Sequence, residues 1–197
     1  MPVAERRITP DDIISPEEFG RQRAELRAQL LPAKKRRRLD VGPHCTFYFE
    51  SYDTMLFQIQ EMLFIERGGD EQLVDEMSAY NPLIPQGSEL VATMMFEIDD
   101  PKRRLNLLLR LGGIENHVFI QVGDEKIYAV PEDDAERTTE DGKTSSVHFF
   151  HFPFNDAQKK EFTTPATQVL IGSDHPEYAH LSVLSPANRE ELAKDFS

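Results

Sequence analysis

The stretch from Ser51 to Tyr80, SYDTMLFQIQEMLFIERGGDEQLVDEMSAY, restricts the fold more than any other part of the chain. It reads as two helices joined at Gly68-Gly69. In the first, Met55, Leu56, Ile59, Met62 and Leu63 recur at helical spacing, and Phe57, Phe64 and Ile65 fill much of the opposite side. A helix that is apolar nearly all round belongs in an interior. Asp53 is placed to cap its start, with Tyr52 packing on Phe57 as a hydrophobic staple, and Gly68 is placed to end it in the left-handed conformation. Gln58, Gln60 and Glu61 interrupt this apolar segment. Buried polar groups need partners, because each one left unpaired costs about 1–3 kcal/mol. Gln58 and Glu61 therefore head the candidate polar core.

Around this pair the pattern changes element by element. Ser15-Pro16-Glu17-Glu18 is a capping box with proline at the first helical position, after a similar signal at Thr9-Pro10. The helix it opens is expected to stop at Pro32. That makes residues 1–33 an N-terminal helical arm on a single domain of residues 34–197. From Arg36 the period becomes alternating, with Leu39 and Val41, then Phe47 and Phe49, about a Gly42-Pro43 turn. Strands are expected at 89–98, 117–122, 125–130, 145–154 and 167–171, with helices opening at Asp100-Pro101, Asp156 and Ser185-Pro186. Gly123-Asp124 is a two-residue hairpin turn. Hairpins dominate, so the fold class is α+β: a mainly antiparallel sheet packed on the buried helix pair.

Charge excludes some functions. The net charge is −13, but residues 1–45 hold ten Lys/Arg against seven Asp/Glu, leaving +3 there and −16 in the rest. An acidic body repels a phosphate backbone, so nucleic acid is not an expected partner of the whole domain. The exception is Lys34-Lys35-Arg36-Arg37-Arg38. The plain reading is a helix end that complements its dipole, followed by a guarded strand edge. The functional reading is a docking patch for an acidic partner or an RNA. No apolar run approaches the roughly 20 residues that span a bilayer, and the N-terminus lacks the apolar core of a secretory signal. Cys45, the one cysteine, can form no internal disulfide and cannot alone hold an iron–sulfur cluster. A cytoplasmic protein is expected.

Several motifs invite chemistry. Gly142-Lys143-Thr144 fails as a phosphate loop, because Arg137 stands where the first glycine belongs and a strand follows instead of a helix. The acidic segment 131–144 around it is too long for a tight turn and lacks the calcium-loop pattern. His148 and His151 are three apart on a strand and face opposite ways. Asp174-His175-Pro176-Glu177-Tyr178-Ala179-His180 gathers imidazoles and carboxylates. A metal site would take His148, His175 and His180 with Glu61, and would suit non-haem iron, zinc or manganese. The plainer reading makes His175 the cap of a turn begun by Pro176, and the other histidines packing residues. His44 and Cys45 are adjacent on a strand and point apart, so Cys45 reads as an inert core thiol.

The segments KKRRRLDVGPH, FESYDTMLFQIQEML, AYNPLIP, DGKTSSVHF and DHPEYAH follow one another between about Lys34 and Phe196. Together they resemble an uncharacterised bacterial family classed as a domain of unknown function. The resemblance includes Gln58, Glu61, Lys143, His148, His175 and His180. Members tend to be encoded beside rubrerythrin-like and iron–sulfur oxidoreductase proteins. That implies an accessory role in redox or peroxide defence, with such a protein as partner. The alternatives are a His/carboxylate metalloprotein and an RNA-binding module using Lys34–Arg38.

Overall fold

The computed structural model describes residues 6–132 and 143–196. Most of the acidic segment 131–144, Gly142 included, lies outside them. The architecture is α+β, and every strand pair is antiparallel. The first sheet is ordered β1 (Arg38–Val41), β2 (Cys45–Phe49), β3 (Glu89–Phe96), β7 (Val147–Pro153) and β6 (Val130–Pro131). The second is ordered β5 (Glu125–Tyr128), β4 (Val118–Val122), β8 (Val169–His175) and β9 (Tyr178–Val183). A second sheet, and β9 as a strand of its own, go beyond the sequence expectation. DHPEYAH is a hairpin: His175 pairs with Tyr178 across a Pro176-Glu177 turn.

Strand alternation decides what each face does. Phe47, Phe49, Leu90, Met94, Phe150 and Phe152 project from the inner face of the first sheet into a core shared with Val118, Ile120, Val169 and Ile171 of the second. This is a sandwich interior, with alternate residues of both sheets interleaved. The outer face of the first sheet carries the helical layer. There α2 (Tyr52–Glu66) and α3 (Gly69–Tyr80) follow one another, and Met55, Ile59, Leu63, Leu83 and Val91 form a second, smaller core.

The helix pair is less deeply set than its sequence implies. α3 contains no fully buried residue, and Ile65 at the end of α2 is 64% exposed. The cap of α2 is Ser51, in a reciprocal box with Thr54; Asp53 is exposed. Asp53 lies inside the first turn, and the capping contacts there are made by Ser51 and Thr54 instead. Arg67, not Gly68, takes the left-handed position at φ 55°, and Gly69 follows at φ 74°.

Pro32 does not stop α1, which runs from Pro16 to Arg36. The proline is exposed, so water can reach the Ala28 carbonyl it leaves unbonded. Both ends of the helix are pinned. Phe19 is 1% exposed between Phe57 and Phe64, and the Arg36 carbonyl accepts from Asn188 Nδ2 at 2.7 Å. The boundary expected after residue 33 thus falls within one continuous helix that packs on α2. The remaining helices, α4 (Pro101–Arg110), α5 (Asp156–Thr163) and α6 (Pro186–Leu192), start at capping residues Asp100, Asn155 and Ser185. Among the described residues, no helix is long and apolar enough to cross a membrane.

Candidate functional site

The helical layer covers the outer face of the first sheet incompletely. On β3 the outward positions are Val91, Thr93 and Met95, and on β7 they are Val147 and Phe149. Val91 is sealed beneath α2, whereas Thr93, Met95 and Val147 stay half-buried. The gap is a cleft of about 400 Å³. Tyr48 and Glu50 form one wall, Met55, Gln58 and Tyr80 another, and Lys34 stands at its edge.

Glu50 is the group with chemical potential here. It follows β2, where its amide donates to the Val91 carbonyl at 2.8 Å, and precedes the cap of α2. Its carboxyl therefore hangs at the junction of strand and helix. Thr54 Oγ1 donates to Oε2 at 2.7 Å and Thr93 Oγ1 to Oε1 at 2.8 Å. Desolvation pushes its pKa above the ordinary glutamate value, against the pull of both threonines, Lys34 and Arg37. Burial likewise raises the Tyr80 phenol, which Gln58 contacts by a hydrogen bond. A carboxyl whose burial favours its protonated form, a phenol and an amide thus face a largely apolar cleft, the usual composition of a small-molecule site.

Of the sequence candidates, Gln58, Lys34 and Arg37 line this cleft. Glu61 points the other way and is clamped by Arg23 of α1, with Nε–Oε1 at 2.7 Å and Nη2–Oε2 at 2.8 Å. Gln60 is buried, its amide 3.5 Å from the Ile14 carbonyl. Lys143 is half-buried just ahead of β7. His148 is buried in the sandwich core, with Nε2 at 3.0 Å from the Ser145 carbonyl and its ring stacked on Phe150. His175 accepts the Glu177 amide on Nδ1 at 3.2 Å, the turn-capping role, while Nε2 faces the Gly112 carbonyl at 3.3 Å. His180 packs edge-on to Tyr178.

His175 and His180 share the β8–β9 hairpin, while His148 lies in the sandwich core and Glu61 against α1. Among the described residues no group of three or more His, Cys, Asp or Glu is arranged to hold a metal ion. Cys45 is 3% exposed, and desolvation drives its thiol far above the ordinary range, which keeps it unreactive.

The basic run is divided. Lys34, Lys35 and Arg36 are exposed in the last turn of α1. Arg37 is withdrawn from any partner: its side chain is 5% exposed and forks onto Asp195, with both contacts at 2.9 Å, while Nε reaches Glu191 at 3.3 Å. The buried carboxylates of the C-terminal segment offset its desolvation, which the run of like charges in sequence concealed. Arg38 is held by Asp40 at 3.0 Å and lies over the Tyr48 ring.

Sequence reasoning missed Glu50, Thr93 and Tyr80. The one local signal was an acid directly after the strand CTFYF, at a position that the alternation assigns to neither core.

Residues 7–196 match the family described as Protein of unknown function (DUF3501). The chain belongs to this family. It is also similar to a crystal structure of a protein of unknown function from Burkholderia pseudomallei, at 37% identity. That similarity covers 96% of this chain and 99% of the other, with a TM-score of 0.88. No curated protein matches.

Proposed function

We propose that the protein is a small-molecule-binding accessory protein whose ligand enters the Glu50 cleft. One observation carries the reading: an ionisable carboxyl, desolvated and tethered by two threonine hydroxyls, at the wall of an open and mainly apolar cleft. Such a group costs stability wherever it is charged, and that cost is repaid when a ligand supplies its missing partner. In this reading Glu50 recognises the ligand and exchanges a proton with it, Gln58 and Tyr80 orient it, and Met95, Val147 and Phe149 hold its apolar part. The cellular setting follows the family resemblance: a cytoplasmic redox or peroxide-defence system with a rubrerythrin-like or iron–sulfur oxidoreductase partner. Because Cys45 is sealed in the core, electron traffic in this scheme belongs to the partner.

Two measurements test it. Thermal shift against a metabolite panel should find compounds that stabilise the wild type but not Val147→Trp or Met95→Trp, which fill the cleft from its floor. Compounds that stabilise all three proteins equally would remove the cleft from consideration. Affinity purification from the native host should recover the redox partner, and its repeated absence would refute the accessory role.

A further inference from the structure

The cleft does not end at Lys34. A second hollow, of about 410 Å³, opens between the C-terminal half of α1 and α2, and it shares Lys34, Tyr48 and Gln58 with the first. Leu30, Leu31 and Phe57 give it an apolar lining, and the charged groups along it are Arg27, Lys34, Lys35 and Arg38 with Glu61. Resting on the ligand-binding reading above, we infer that the molecule taken up is an amphipathic anion. Its apolar body lies along the joined hollows, and its carboxylate or phosphate sits on Arg27, Lys34 and Lys35.

Three features carry this assignment. The first is unspent positive charge. Arg38 is occupied by Asp40, and Glu61 by Arg23, but Arg27, Lys34 and Lys35 make no ion pair among the described residues. Secondly, the site contrasts with its surroundings. On a chain of net charge −13, exposed cations gathered at one mouth produce a local positive field that draws anions in. Glu50 is the third. It is the acid facing the first hollow, held there by the Thr54 and Thr93 hydroxyls, and its desolvation shifts it toward the neutral form, which weakens its opposition to that field.

Helix-dipole complementation accounts for basic residues in a last turn. It does not account for the apolar hollow beneath them, or for its junction with the Glu50 cleft. Side-chain chemistry points the same way. Lysine binds carboxylate and phosphate as a point charge, and arginine as a fork, so a rim of both accepts either head group.

Titration calorimetry with decanoate, decyl phosphate, decanol and decylammonium separates the possibilities. Both anions should bind the wild type at least about tenfold more tightly than decanol, the value of one charge-assisted contact, and lose affinity with added salt. The exposed double variant Lys34→Glu/Lys35→Glu should cost both anions at least about tenfold more affinity than it costs decanol. Val147→Trp should weaken all four. If decanol binds as well as decanoate and only Val147→Trp matters, the anionic head is wrong although the cleft reading survives. If no probe binds the wild type, or if Val147→Trp leaves decanoate binding intact, the inference is overturned; the metabolite panel then judges the cleft separately.

Discussion

Arg37→Ala is the substitution expected to damage this protein most for one exposed-looking position in a basic run. The guanidinium is buried and makes contacts at 2.9, 2.9 and 3.3 Å with Asp195 and Glu191, and at 3.0 Å with the Glu50 carbonyl. Truncation leaves two carboxylates, each with a side chain 6% exposed, facing an empty space. Lys194 still reaches Glu191 at 2.6 Å, so the uncompensated charge falls mainly on Asp195. Breaking a buried pair from one side costs about 3–5 kcal/mol. For a domain of this size each kcal/mol lowers Tm by about 2–4 °C, so a fall of roughly 6–20 °C is expected. Urea unfolding followed by circular dichroism measures it. The companion Arg37→Met/Asp195→Leu removes charge from both sides, and should recover most of the loss, because apolar replacements of buried pairs are often neutral or better. A loss below about 1 kcal/mol in Arg37→Ala, within the range of surface pairs, would refute this account. So would a double variant no more stable than the single one.

Glu50→Gln should stabilise the protein relative to the wild type once pH passes the folded pKa of Glu50. Its folded pKa is raised, so the stability it contributes is full below the unfolded glutamate value and drains away as pH rises through the folded one. Tm measured across this range should fall more steeply with pH for the wild type than for the variant. His151 is bonded to Glu89 Oε2 at 2.9 Å and Glu132 Oε2 at 2.7 Å, and these carboxylates, Glu89 foremost, raise its pKa. Its stabilisation is complete below the unfolded histidine value and disappears as pH passes the folded one; His151→Gln should flatten that part of the stability profile, and an NMR titration of the ring should show the upward shift. At Gly172 an added Cβ would stand 2.1 Å from the His180 carbonyl oxygen, a backbone atom that cannot yield without parting β8 from β9. Gly172→Ala should therefore cost about 3 kcal/mol or more, with insoluble expression as the first sign and near-native stability as the contrary result.

Local chemistry was read correctly at several short segments, though at α2 the cap is Ser51 and the left-handed residue Arg67. Ser15, Asp100 and Ser185 cap the helices that their proline-bearing motifs announce, because a cap is settled within three or four residues. Gly123 turns its hairpin at φ 58°, as a glycine-first two-residue loop requires. The alternation at Leu39, Val41, Phe47 and Phe49 named the core face of β1 and β2. Pro32 was misread because the contacts that pin the two ends of α1, Phe57 and Phe64 on Phe19 and Asn188 on the Arg36 carbonyl, come from distant segments. His148, His175, His180 and Glu61 were grouped by residue type, but each answers to neighbours of its own.

The order of residues thus determined the caps, the turns, the strand faces and the separation of a basic N-terminal stretch from an acidic remainder. All of these arise from interactions a few residues long or from composition. Tertiary structure alone decided that Arg37 would meet Asp195 across 158 positions, and that Thr93 would reach Glu50 across 43. Whether a charge is buried, paired or left facing a cleft depends on which elements the fold stacks together. That is a property of surfaces formed only once the sheets and the helical layer have come into contact.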